Sequence, residues 1–190
     1  MKKYTLIVGL LLALSLGFTS CGGGDNDDDK KKEGKTVIWK LTDVLAKIGV
    51  KSSVVAADLT DTGVALVGSP TLEIKKVGDA FVLEITTAAN WGQGIDLQDS
   101  KFKFVEGDTV TLTGTYTGSP SEIYLTTKAG NGETHTLKPP TASPFKIEAT
   151  LTAEDITNIA ATGQDLQQAI RIAAKPDNIT FVITEITIER

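Results

Sequence analysis

An all-β sandwich is the fold class this sequence predicts, and three observations predict it. The apolar runs alternate at period two: Phe81, Leu83, Ile85; Val110, Leu112; Phe145, Ile147, Ala149, Leu151. Such alternation is the signature of half-buried strands. Turn-forming residues punctuate the runs, at Gly78-Asp79, Glu106-Gly107-Asp108, Gly118-Ser119-Pro120 and Pro176 to Asn178. Helical periodicity is confined to short pieces, and short strands separated by turns argue a sandwich. The 190 residues suffice for one ordinary domain, and 41% hydrophobic residues supply a sizeable core. No internal repeat is visible.

Residues 1–20 stand outside that fold. Lys2 and Lys3 form a positive n-region, Leu6 to Leu16 an apolar stretch, and Gly17-Phe18-Thr19-Ser20 precedes Cys21. The apolar stretch is too short for an ordinary spanning helix and reads as a secretory signal. Cys21 is the only cysteine, so a disulfide within the chain is impossible. Its place directly after the apolar stretch resembles the lipobox of bacterial lipoproteins, with Phe18 where Leu is commonest. That resemblance implies that Cys21 is acylated and becomes the new N-terminus. Each buried acyl CH₂ contributes roughly 0.8 kcal/mol, so several chains anchor firmly where one does not.

Residues 21–35 form a tether. Gly22 to Lys35, "GGGDNDDDKKKEGK", has no apolar residue to bury. A flexible segment of this length spans roughly 20 Å root-mean-square. Its cluster Asp25, Asp27, Asp28, Asp29 lacks the spaced Gly and closing Glu of an EF-hand loop. It resembles the acidic export signal that places some lipoproteins on the outer leaflet, which implies an outer-membrane protein at the cell surface.

The sandwich domain is expected over residues 36–190. Val37 to Leu41 reads as a first strand carrying Trp39, which is expected to pack at the core or N-terminus. Leu41, Val44, Leu45 and Ile48 fit a helical stripe, so a short helical turn follows. Lys51 to Gly68 shows no clean period. Thr71 to Val77 and Ala80 to Thr87 read as a hairpin joined at Gly78-Asp79. A short strand is expected at Lys101 to Val105, where Phe102 and Phe104 alternate. Thr109 to Thr117 is strongly β-favouring, with threonines on one face and Val110, Leu112 and Tyr116 on the other. Glu122 to Thr127 follows, Ile123 and Leu125 inward, Glu122, Tyr124 and Thr126 outward. Ala129 to Pro144 reads as a loop, and a strand begins at Phe145. Thr152 to Ile159 is the convincing helix, capped by Thr152 with Glu154 and Asp155 at its positive end. Ala169 to Ala173 places Ile170 and Ile172 inward and Arg171 outward. Ile179 to Ile188 is a long β-branched closing strand.

Between two well-patterned runs lies Ala89 to Gln98, "ANWGQGIDLQ". Trp91 sits there among Asn90, Gly92, Gln93 and Gly94, at a loop or the start of a strand. Glycines let backbone come close to something bulky. A large aromatic among polar neighbours suits a flat ligand, or else a plug under a loop.

Several chemistries lack their residues. The net charge is −5 and no large basic block exists, so nucleic acid is not an expected partner. His135 is the only histidine, and with one cysteine it cannot supply the usual zinc sets. Neither a nucleophile elbow nor a phosphate-cradling loop appears. Glu84, Asp96, Glu122 and Glu148 are available as glycosidase carboxylates, but no spacing selects a pair.

The order "AFVLEITTAANWGQGIDL", "FVEGDTVTLTGTYTG", "EIYLTT", "IRI", "ITFVITEITI" resembles the carbohydrate-binding modules attached to xylanases. The similarity covers roughly Thr71 to Arg190. It implies a jelly-roll β-sandwich of the galactose-binding-domain-like type, with a ligand stacked on aromatics at one sheet face or in its cleft. Trp91 matches the family's aromatic after the second hairpin strand. The family's closing pattern corresponds to Phe181 to Ile186, with Thr184 where Asp is common, which counts against the family's structural calcium. No cofactor and no metal site are expected.

A sugar ring offers one apolar face and many hydroxyls. Aromatics cover the face, while Gln, Asn, Glu and Arg satisfy the hydroxyls. Trp91, Gln93, Glu122, Tyr124 and Arg171 are the expected ligand-binding residues, and no catalytic residue is assigned. The expected function is a non-catalytic surface lipoprotein that binds a plant-type polysaccharide such as xylan. Expected partners are a polysaccharide or oligosaccharide, other surface proteins of glycan utilisation, and a membrane through the lipid anchor only. A surface adhesin or scaffold that binds protein is the alternative, and a small glycoside hydrolase a third class.

Overall fold

A computed structural model of the chain describes residues 34–88, 93–127, 135–137, 143–160, 168–175 and 178–190. Within its strands the backbone alone is described at Glu122, Tyr124, Thr127, 135–137, 168–171 and Lys175. The signal segment, Cys21, most of the tether and Trp91 lie outside the described residues.

In chain order the elements are β1 (Val37–Lys40), α1 (Leu41–Ile48), a 3₁₀ turn (Ala56–Leu59), β2 (Val64–Val67), β3 (Thr71–Val77) and β4 (Ala80–Thr86). Then come β5 (Gln93–Gln98), the single turn α2 (Asp99–Phe102), β6 (Thr109–Thr117), β7 (Glu122–Thr127) and β8 (His135–Leu137). The chain closes with β9 (Phe145–Thr150), α3 (Ala153–Ala160), β10 (Gln168–Lys175) and β11 (Thr180–Glu189).

The strands make two antiparallel sheets. The first has the order β3-β4-β11-β6-β9, and β1 joins it at β11. The second has the order β2-β5-β10-β7-β8. From β4 onward the chain crosses repeatedly between sheets: β5, β7, β8 and β10 go to the second, and β6, β9 and β11 return to the first. The resulting pair of four-stranded sheets, β4-β11-β6-β9 and β5-β10-β7-β8, is the jelly-roll arrangement of a β-sandwich. The length of β11 makes this possible. β6 runs along one side of it, while β4 takes Thr180 to Ile183 and β1 takes Thr187 to Glu189 on the other.

Alternation explains the core. Leu83 and Ile85, Val110 and Leu112, and Phe181 and Ile183 face inward from the first sheet; Ile95 and Leu97, Ile123 and Leu125, and Ile172 and Ala174 face them from the second. All are buried. Both helices of eight residues cover the sandwich with one apolar side. In α1 that side is Leu41, Val44 and Leu45. Its first turn is met by Glu185 of β11, whose carboxylate accepts from the Thr42 hydroxyl at 2.9 Å and amide at 3.4 Å. That satisfies donors a helix start leaves open. The stripe at 41–48 is therefore a full helix, so Thr152 to Ile159 is not the one clear helix. At α3 the expected cap is present: Thr152 Oγ1 accepts from the Asp155 amide at 3.2 Å, and the Asp155 carboxylate accepts from the Thr152 amide at 2.8 Å.

Three further expectations need correction. Lys101 to Val105 is not a strand. Phe102 and Phe104 are both buried, but they are presented by α2 and by Lys103 in the left-handed region at φ 51°. Asp99 Oδ1 fixes the exit by accepting from the Phe104 amide at 2.9 Å. The strand falls instead at Gln93–Gln98, two residues after Trp91, in the stretch that reads as a loop or the start of a strand. The Ala129 to Pro144 span also carries β8, three residues paired with β7.

The C-terminus is pinned by a buried carboxylate. Arg190 donates from Nε to Asp108 Oδ1 and from a terminal nitrogen to Oδ2, both at 2.9 Å. Asp108 is wholly buried, and its Oδ2 also accepts from the Val105 amide at 3.0 Å. Burial pushes the Asp108 carboxyl up, but the Arg190 guanidinium and the Val105 amide outweigh it and hold the group below its ordinary range. A carboxyl lowered in the folded state stabilises the fold above the unfolded value, near pH 4, and that contribution is lost as pH falls through the folded value. Arg190→Ala should destabilise by about 1.5–3 kcal/mol, the range for hydrogen bonds to a charged group, because Arg190 is half in water. Urea unfolding of wild type and variant at neutral pH and below pH 3 checks this: the gap should shrink in acid.

Candidate functional site

Period two divides the second sheet into an inward and an outward side. Ile95, Leu97, Ile123, Leu125, Ile172 and Ala174 take the inward positions. By register the outward positions are Ala65 and Val67 of β2, Gly94 and Asp96 of β5, Arg171 and Ala173 of β10, and Glu122, Tyr124 and Thr126 of β7. They form rows across the sheet. One row runs Val67, Gly94, Ala173, Tyr124; the next runs Ala65, Asp96, Arg171, Thr126.

An outward face of an antiparallel sheet is commonly solvated. The middle of this one is dry. Val67 is 4% exposed, Asp96 0% and Ala173 0%, and Gly94 is also buried. Val67 and Ala173 do not belong to the core cluster between the sheets. The second sheet thus carries a buried patch on the side away from the core. Its floor is of small residues, Gly94 and Ala173, beside the Tyr124 position. A carboxylate stands in the same patch, and burying a charge is expensive unless it is paired and hydrogen-bonded. The residue opposite Asp96 on β10 is Arg171.

Gly94 is needed by the sheet itself. A Cβ there would stand 2.1 Å from the carbonyl oxygen of Ile172, so β5 and β10 approach too closely for any side chain. The glycines of this stretch were expected to admit a bulky partner; at Gly94 the partner is the neighbouring strand.

The five expected ligand residues do not all gather. Glu122, Tyr124 and Arg171 share the outward side by register. Trp91 lies outside the described residues, two positions before β5 begins. Gln93 is set apart and corrects the expectation of a residue on the sugar. It has the parity of Ile95 and Leu97, is 2% exposed, and its Oε1 accepts from the Ala88 amide at 2.7 Å. It ties the two ends of the 88–93 span together. Asp96, which is not among the five expected ligand residues, lies on the same outward side. Once 93–98 is seen as a strand, alternation alone puts Asp96 outward beside Gly94; its burial left no trace in the sequence.

Among the described residues no three His, Cys, Asp or Glu side chains gather to hold a metal ion. Thr184, at the Asp position of the resembling family, is the bulged residue of β11 and shares a 3.0 Å hydrogen bond with Thr113 Oγ1.

No protein-family model and no curated protein matches the chain. Among solved structures it is similar to that of the CBM22-1 xylan-binding domain from Paenibacillus barcinonensis Xyn10C. The TM-score is 0.44 and the identity 10%, over 82% of this chain and 94% of that one. The fold assignment stands on the strand order described above.

Proposed function

We propose that this chain is a non-catalytic module that binds a plant-type polysaccharide such as xylan on the outward side of its second sheet. The observation that carries the reading is the register that puts the Glu122, Tyr124 and Arg171 positions on one side of the second sheet, the side turned away from the core. Those positions hold residue types that sugars need. Tyr124 and Trp91 supply aromatic faces, while Glu122 and Arg171 serve hydroxyls. Gln93 braces the span that carries Trp91. Aromatic contacts add about 0.5–1.5 kcal/mol each beyond area burial. Two of them with a few hydrogen bonds correspond to a dissociation constant of roughly 10 μM to 1 mM.

The carboxylates support binding over hydrolysis. Glu84 of the first sheet is ion-paired with Lys75 at 2.5 Å, and Glu148 of the same sheet with Lys146 at 2.7 Å. Asp96 and Glu122 share the outward side of the second sheet, but two strands and four residues apart in register. Strand geometry makes that about 16 Å between backbones, whereas glycosidase carboxyl pairs stand roughly 5–9.5 Å apart.

Calorimetric titration with xylo-, cello- and manno-oligosaccharides tests the reading. Binding in the stated range to at least one of the three is expected. No heat with any of them moves the function to a surface domain that binds protein.

The module acts at the cell surface, held to the outer membrane through an acylated Cys21. The lone cysteine directly after a short apolar stretch supports this. Cys21→Ala should move the protein from the membrane fraction to the soluble fraction. An unmodified thiol at residue 21, seen by intact mass in the native host, would reject the anchor.

A further inference from the structure

A groove of about 470 Å³ opens between β1, α1 and the 60–62 turn, and none of the expected ligand residues lines it. That volume lies within the roughly 300–1,000 Å³ of small-ligand sites. Its wall includes the half-buried ring of Trp39. The ring is held from behind. Phe102 meets it edge-on at 5.1 Å, and Phe104 packs on Phe102 at 5.3 Å. Gly63 makes room for this stack, since a Cβ there would stand 2.4 Å from Phe102 Cζ. An aromatic fixed in this way loses little freedom when a ligand covers it.

Five ionisable side chains share the wall: Lys40, Asp43, Lys47, Asp61 and Lys101. All are exposed, and among the described residues none of the five is ion-paired. Three ammonium groups against two carboxylates leave one unit of positive charge, in a chain whose net charge is −5. The groove also has a neighbour. A second depression of about 430 Å³ shares Thr60 and Asp61 with it and is lined along the β2 edge by Val64, Ala65 and Leu66, with Gln98 of β5. The two adjoin at Thr60 and Asp61.

We infer that the Trp39 groove is a second saccharide subsite, and that it takes an acidic sugar, a uronic acid. The pyranose ring lies against Trp39, the hydroxyls bond to Asp43 and Asp61, and the carboxylate meets Lys47 and Lys101. One unit of excess positive charge matches the single negative charge of a uronic acid. The choice of a saccharide over another small anion rests on the glycan-binding reading, since the adjoining depression runs along β2 and touches β5, two strands of the same sheet.

The test uses three probes: neutral xylohexaose, a xylo-oligosaccharide of equal length bearing one glucuronic acid branch, and tetragalacturonate. Wild type is compared with the double variant Lys47→Gln and Lys101→Gln, which keeps most of each side chain and changes exposed positions. Wild type should bind the acidic xylo-oligosaccharide about tenfold more tightly than the neutral one, more so at low salt. The double variant should lose that preference and keep its affinity for xylohexaose. Equal affinities in wild type, or a preference that survives in the double variant, would overturn the inference. Tetragalacturonate separates the two readings. If it binds through the lysines while xylohexaose does not bind, the subsite stands and the xylan reading falls. If xylohexaose binds and neither acidic probe gains from the lysines, the subsite falls and the xylan reading stands.

Discussion

Phe181→Ala is expected to lower the unfolding free energy by about 3–5 kcal/mol, the cost of removing a buried aromatic. Phe181 is wholly buried and lies in β11 between Ile85 of β4 and Tyr116 of β6. β11 holds the first sheet together, so the void opens where three strands meet and cannot collapse by moving an edge. For a chain of this size, each kcal/mol moves the thermal midpoint by about 2–4 °C. A fall of about 6–20 °C is therefore expected. Urea unfolding should show a lower midpoint with an unchanged slope, the mark of lost stability rather than a changed unfolded state. A change below 1 kcal/mol would contradict the placement of Phe181 between the sheets.

The second large effect concerns binding. The double variant Trp91→Ala and Tyr124→Ala should weaken oligosaccharide binding by about 2 kcal/mol or more, since paired aromatics at the centre of a site carry most of its energy. Its thermal midpoint should stay within a few degrees of wild type. The reason is parity. Tyr124 takes an outward position on β7, while its neighbours Ile123 and Leu125 fill the core. A core Trp reduced to Ala would instead cost roughly 3–5 kcal/mol of stability. A steep fall in melting temperature with unchanged sugar affinity would make Trp91 structural.

Where one face of a strand is apolar, the fold is legible in the sequence. Thr71–Val77, Thr109–Thr117 and Glu122–Thr127 have the expected bounds, because alternation and a Gly or Pro turn mark both ends. Gln93–Gln98 was not legible as a strand, since it is buried on both sides and carries Gln93 and Asp96 among its buried residues. Polar residues that end up dry look like loop residues. Phe102 and Phe104 misled in the opposite way: a helical turn followed by one left-handed residue also presents every second side chain to a core. The 51–68 span had no period because a β-bridge at Lys51, a 3₁₀ turn and a four-residue strand follow one another too quickly for one. The candidate site was legible in part. Outward parity gives Glu122, Tyr124 and Arg171 the same side of the sheet, with Glu122 four residues along β7 from the partner of Arg171. The inward parity of Gln93 and the burial of Asp96 depend on where β5 starts and on which strands flank it. Neither is written locally.

The central claim is that the outward side of the second sheet is the glycan-binding face. Amide chemical-shift mapping during titration with xylohexaose tests it most directly. The account predicts the largest shifts along β5, β10 and β7, centred on Gly94, Ala173 and Tyr124, with little change in β3 and β9 of the first sheet. Shifts confined to the first sheet, or none at saturating ligand, would contradict it.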